Sequence, residues 1–177
     1  AQRRDLADAI LVGDRAQIEA LAQQYNLDLS SSRIVNEPDA LVAARTACQL
    51  VRQGEAHILM KGDIYTDDFL RAVLDRETGL RTDLIMSHVF ILETTARGKL
   101  TLVTDGAMNI APDLQTKALE IMNAVYLANT LGIENPKVGI LAAVEVVNPK
   151  MPATLDAAAL HAMEHRNQFP TCQVDGP

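Results

Sequence analysis

Short apolar runs bounded by turn residues alternate along this chain with longer segments of helical spacing, and that alternation most restricts what the chain can become. It is the pattern of βαβ units and a mainly parallel sheet, because parallel neighbours need a crossover and the crossover is usually a helix. AILVG (9–13) and RIVN (33–36) are predicted strands flanking a helix over 14–25 that carries Ile18, Leu21 and Tyr25 after a capping Asp14. Pro38 suits the first turn of a second helix with Leu41, Ala44, Cys48 and Val51 on one stripe and Gly54 past its end. HILMKG (57–62) reads as a third strand and 66–79 as a helix capped by Thr66, with Asp67 and Asp68 at its positive end.

The rhythm changes at 85–105, where IMSHVFILE and KLTLVTDG flank the polar TTARG and predict a hairpin. Alternation then resumes: a helix with Leu114, Ile121, Val125 and Ala128 on one face ending at Gly132, a strand KVGIL (137–141), a helix opened by Pro152 and Thr154, and a last strand TCQV (171–174). With no Gly/Ser linker, a seam is expected near 105–112, which divides the chain into a first α/β lobe over 1–110 and the start of a second over 111–177. Neither end reads as a natural boundary, so both lobes are expected to be incomplete.

Aromatic content of 3% with no Trp leaves a core of Leu, Ile, Val, Ala and Met, which favours helix-on-sheet layers over an aromatic platform for single strands. The net charge of −7 opposes non-specific binding to nucleic acid or an anionic membrane, so an anionic ligand needs a local cluster of cations. Cys48 and Cys172 are far apart and form no C-x-x-C pair, which fits a reducing cytoplasm. No apolar stretch approaches the ~20 residues of a membrane helix.

A predicted strand that ends in Lys61-Gly62-Asp63 delivers charge to its own carboxyl end, where open α/β sheets build binding crevices. The order is not that of a P-loop, whose glycines precede the lysine, and no G-x-G-x-x-G occurs. Lys61, Gly62 and the helix start at Thr66 are therefore read as an anion site. The alternative is a solvent-facing lysine at a βα turn. Arg71, Arg81, Ser87 and His88 extend the polar series; Arg76, between Asp75 and Glu77, reads as a solvated charge, whereas Arg81 follows Gly79 in a turn before a strand. Asp105-Gly106 and Asn109 end the next strand, although Asp-Gly is also a common turn pair. Glu145, Asn148 and Lys150 lie in a proline-bounded loop that serves equally as crevice wall or connector. HAMEH (161–165) matches H-x-x-E-H, yet without a third-ligand signature His161, Glu164 and His165 are read as a helix end, not as a zinc site.

Four stretches in register, MKGDIYTDDFLRAVLDRETGLRTDLIMSHVFIL, LVTDGAMNIAPDL, LGIENPKVGILAAVEVVNPKMPATLDAAAL and VDGP, resemble the phosphate acetyl/butyryltransferase family. The segment around Thr66 looks most like members fused to an enoyl-CoA hydratase domain. The resemblance implies two α/β lobes related to isocitrate and isopropylmalate dehydrogenases, a site in the cleft between them, and a homodimer. It implies that acyl-CoA and orthophosphate interconvert with acyl phosphate and CoA, with no metal and no cofactor beyond CoA as substrate. An Asp would deprotonate the CoA thiol while Arg and Ser donors hold the tetrahedral oxyanion, a sensible division because a free thiol near pKa 8.5 is mostly protonated at neutral pH.

Carried over by position, the resemblance makes Lys61, Gly62, Thr66, Arg71, Arg81, Ser87, His88, Asp105 and Asn109 substrate-binding candidates. The family's catalytic Ser-Arg pair and Asp would lie beyond Pro177, so the catalytic residues are expected outside this chain and the chain alone is expected to be inactive. A non-catalytic acyl-CoA-binding regulatory domain is the alternative from another functional class, and a zinc hydrolase is a third. Acetyl and butyryl chains both stay open.

Overall fold

The computed structural model describes Arg4, residues 6–94 and residues 98–177. It has mixed α/β structure in two compact units, one ending at Asp83 and the other beginning at Leu84.

In the first unit β1 (Ile10–Gly13) and β2 (Arg33–Asn36) pair in parallel, Ile10 opposite Arg33 and Gly13 opposite Asn36, with α1 (Arg15–Gln24) as the crossover. This is the expected βαβ unit. Asp14 caps α1 by accepting the Gln17 N–H at 3.1 Å. α2 (Ala40–Arg52) is capped by Asp39, which accepts from Leu41 and Val42, so Pro38 stands one residue before the cap and outside the first turn. α3 (Thr66–Val73) begins at Thr66 itself; Tyr65 holds the extended cap position without a side-chain bond, which corrects the expected Thr66 cap. α3 also ends earlier than 79. The Leu80 N–H takes the Val73 carbonyl at 2.7 Å, and Asp75 captures the Glu77 and Thr78 amides that further helix would have used.

The predicted strand over 57–62 is the main correction. Among the described residues no neighbouring strand takes up its backbone groups, and the segment forms no strand. Its alternation survives: Ile58 and Met60 face outward at 77% and 85% exposure, while Leu59 packs with Ile64, Phe69 and Leu80 around the buried Ala44, Cys48, Ala72 and Val73. Periodicity marks which side faces the core, whereas a strand also needs a partner edge.

The second unit opens with an antiparallel hairpin, β3 (Val89–Thr94) and β4 (Lys99–Thr104), Val89 opposite Thr104 and Thr94 opposite Lys99. The hairpin was expected; most of its TTARG turn, residues 95–97, lies outside the described residues. α4 (Leu114–Thr130) starts at Asp113, whose carboxylate accepts the Thr116 N–H at 2.8 Å, and it ends before Gly132 at φ +79°. β5 (Lys137–Gly139) and β6 (Gln173–Asp175) pair in parallel across α5 (Pro152–His165), a second βαβ unit.

Leu160 and Val125 of the two helices meet Ala118, Ile121, Cys172 and Val174 in the core of this unit. Fully buried Thr154 ties the start of α5 to the preceding loop: its hydroxyl accepts the Asn148 N–H at 2.9 Å and lies 2.8 Å from the Met151 carbonyl. Among the described residues the strands form three two-stranded sheets, two parallel and one antiparallel.

Candidate functional site

The second unit gathers four of the predicted residues around the end of the hairpin. Asp105 follows β4, and its carboxylate accepts the backbone N–H groups of Ala107 at 2.8 Å, Met108 at 2.9 Å and His88 at 3.2 Å, and the side-chain amide of Asn109 at 2.8 Å. Burial alone would raise its pKa, but these donors outweigh burial and bring it to about 2. Asp105 is thereby a fixed anion that ties the segment entering the hairpin at His88 to the turn after it. Thr104 adds a second tie, its hydroxyl donating to the His88 carbonyl at 2.9 Å.

The Asn109 amide also reaches the Met86 carbonyl at 3.2 Å. Asn123, on α4, donates to the Ser87 hydroxyl at 2.9 Å and to the Ile85 carbonyl at 3.1 Å, which fixes the segment carrying Ser87 and His88. The His88 ring meets Phe90 edge-on at 4.3 Å, and its buried Nδ1 has no hydrogen-bond partner among the described residues. Asn109 lines an open hollow of about 370 Å³ with Met108, Ile110, Ala111, Pro112, Asp113 and Thr116. The Thr116 amide in the first turn of α4 is already taken by the Asp113 carboxylate.

The family resemblance implied that Asp105, Asn109, Ser87 and His88 share one space, but Asn123 and Glu120 were missed. They lie three residues apart, hence on one face of α4, and are polar positions in an otherwise apolar stretch; that pairing was the signal. Glu120 is only 6% exposed, and its Oε1 has no hydrogen-bond partner among the described residues. Burial first, and then the Asp105 charge, push its pKa up, against Lys117 and Asn109 which pull it down.

The first unit carries the other candidates. Lys61 is exposed, its ammonium 3.3 Å from the Gly62 carbonyl, and a Cβ at Gly62 would meet nothing within 4 Å. Arg71 is paired with Asp68 one helical turn back at 3.1 Å. Arg81 lines an open hollow of about 490 Å³ with Arg76, Thr82 and Asp83. The turn before it is braced: Arg52 donates to the Glu77 carbonyl at 2.8 Å and to the Gly79 carbonyl at 3.0 Å, and Asp75 accepts the Thr78 N–H at 2.7 Å. Arg76, read from sequence as a solvated charge, shares the hollow with Arg81.

At the end of α5, His161 Nδ1 lies 2.8 Å from the Val174 carbonyl and His165 Nδ1 lies 3.2 Å from the His161 carbonyl. Among the described residues no group of three His, Cys, Asp or Glu side chains is arranged to hold a metal ion. Nor is any described helix long and apolar enough to cross a membrane.

In fold the chain is similar to a branched-chain phosphotransacylase from Enterococcus faecalis V583, with a TM-score of 0.77 and 31% identity over 96% of this chain and 68% of that one. It is 48% identical along its whole length to a phosphate butyryltransferase of Clostridium acetobutylicum and 39% identical to a phosphate acetyltransferase of Rhizobium meliloti. It spans 59% and 56% of those two relatives. The family model for phosphate acetyl/butaryl transferase matches residues 37–177, and the chain belongs to that family.

Proposed function

We propose that the protein transfers an acyl group between CoA and orthophosphate, acyl-CoA plus phosphate giving CoA plus acyl phosphate, by direct transfer in a ternary complex. The observation that carries this reading is the family match over 37–177, joined to likeness along the whole of this chain to part of both a butyryl- and an acetyltransferase. Those relatives are named as transferases, which favours catalysis over the regulatory acyl-CoA-binding alternative.

Within this reading Asp105 binds and organises and does not abstract the thiol proton. Its lone pairs are engaged by four donors, and a pKa of about 2 makes it a poor base for a thiol near 8.5. Ser87, His88 and Asn109 belong with it as substrate-side groups. Lys61, Gly62, Thr66, Arg71 and Arg81 are the substrate-binding candidates of the first unit, with Lys61 and Arg81 the freest to take an anion and Arg71 held by Asp68. The base and the oxyanion donors are assigned to family segments C-terminal to the stretch matched here.

The finer structural expectations are part of the same proposal: a two-lobed fold of the isocitrate dehydrogenase type with lobes meeting after residue 110, a homodimer, a cytoplasmic location, and fusion to an enoyl-CoA hydratase domain. No metal or cofactor enters the scheme. Consumption of the CoA thiol on mixing the full-length protein with CoA and acetyl or butyryl phosphate tests the function. Thiol loss that needs both substrates is expected; absence of loss with either acyl phosphate contradicts the proposal.

A further inference from the structure

Asn123 of α4 brings its side-chain Nδ2 to two partners, the Ile85 carbonyl at 3.1 Å and the Ser87 hydroxyl at 2.9 Å. A backbone carbonyl can only accept, so the group facing it is the NH₂, whose two hydrogens divide between the two contacts. The Ser87 oxygen is therefore an acceptor toward Asn123. Its own hydrogen points elsewhere, and among the described residues no group accepts it.

The residues on either side of Ser87 are anchored as well. The Met86 carbonyl accepts from the Asn109 side-chain amide at 3.2 Å, the His88 N–H donates to Asp105 at 3.2 Å, and the His88 carbonyl accepts from the Thr104 hydroxyl at 2.9 Å. A part-buried hydroxyl fixed in this way, with its donor unspent, is ready for an oxygen that arrives with a ligand.

We propose that Ser87 donates its hydroxyl hydrogen to a substrate oxygen, and that Asn123 is the positioning residue that fixes this direction by occupying the serine oxygen as an acceptor. The proposal rests on the acyltransfer reading, which supplies two kinds of oxygen acceptor, the phosphoryl oxygens of orthophosphate and the carbonyl oxygen of the acyl group. A donor aimed before the ligand arrives suits either, because it needs no reorganisation when the contact forms. An acceptor in place of the Asn123 amide would draw the hydrogen inward and turn a lone pair toward the substrate.

That reversal is the test. Asn123→Asp keeps the shape of the side chain and, ionised at neutral pH, offers only acceptors. Steady-state kinetics of the full-length protein would compare Ser87→Ala, Asn123→Asp and the double variant. Ser87→Ala is expected to cost about tenfold or more. The loss falls on the KM for orthophosphate if the acceptor is a phosphoryl oxygen, and on kcat with both KM values kept if it is the acyl carbonyl, where charge develops during reaction. Asn123→Asp should reproduce the same pattern and should cost nothing further in the Ser87→Ala background. Losses that multiply in the double variant would make Asn123 merely structural and overturn the proposal, as would unchanged kcat and KM for every substrate in Ser87→Ala. Should Asn123→Asp not fold, proton NMR of the Asn123 side-chain amide decides: in Ser87→Ala one of its two hydrogens should shift toward the position of an unbonded amide while the one on the Ile85 carbonyl stays, and two unmoved signals would overturn the assignment. If the wild-type protein transfers no acyl group the functional reading fails, and the same amide signals still decide the direction of the Asn123–Ser87 bond.

Discussion

The side-chain amide of Asn109 donates to the carboxylate of Asp105 at 2.8 Å, across the turn that leaves β4. Three backbone amides converge on the same carboxylate, so a residue pair four apart in sequence fixes the hairpin's exit and its entry at His88.

Replacing this acceptor is expected to be costly. Asp105→Asn removes the charge that the amides of Ala107, Met108 and His88 converge on, and it places an NH₂ group among donors. The loss should be about 1–3 kcal/mol, measured by urea unfolding at neutral pH.

The same residue gives a pH dependence with a definite sign. Its folded pKa of about 2 lies below the ordinary 3.8, so its contribution is full above roughly pH 4 and is lost as pH falls through about 2. The stability gap between wild type and Asp105→Asn, followed by thermal melts, should be constant at higher pH and narrow across that window. A gap that widened on acidification would contradict the hydrogen-bond account.

Gly79→Ala should destabilise the first unit. An added Cβ would stand 2.5 Å from the Val73 carbonyl oxygen, 2.6 Å from that of Asp75 and 2.7 Å from that of Ala72, and backbone cannot rotate aside as a side chain can. A cost of about 1–3 kcal/mol is expected by urea unfolding. Because this turn presents Arg81, the KM for phosphate or CoA should rise as well.

Leu160→Ala probes the second unit. Leu160 is fully buried in the cluster with Val125, Ile121 and Val174, so truncation leaves a cavity at the junction of α4, α5 and β6. The expected loss is about 2–5 kcal/mol by urea unfolding, without a change in the pH dependence attributed to Asp105.

How much of this could be read in advance differs by element. Strands β1 and β2 and helices α1 and α4 declared themselves through apolar spacing plus an aspartate or glycine at the boundary, because those signals are local. The segment at 57–62 had the composition of a strand but not the neighbour, and a neighbour is a tertiary fact that a short apolar run cannot specify. Thr66 was a good cap by type, yet the helix takes it in as its first residue. In the site, Asp105 and Asn109 were visible as a polar pair after a strand. Glu120 and Asn123 were hidden because a polar residue inside a helix looks solvent-facing until the fold turns that face inward.

Arg81→Ala separates binding from folding. Arg81 is exposed on the rim of its hollow, so its removal should leave the melting temperature within about the range of a neutral surface change while raising the KM for phosphate or CoA. Steady-state kinetics with each substrate varied in turn would make the comparison, and an unchanged KM for both would remove Arg81 from the site.

The most direct measurement is phosphorus NMR of the full-length protein with butyryl-CoA and orthophosphate. The account predicts an acyl phosphate resonance growing in step with free CoA and in proportion to orthophosphate consumed. Free CoA appearing without acyl phosphate, or no reaction with either acetyl- or butyryl-CoA, would contradict it.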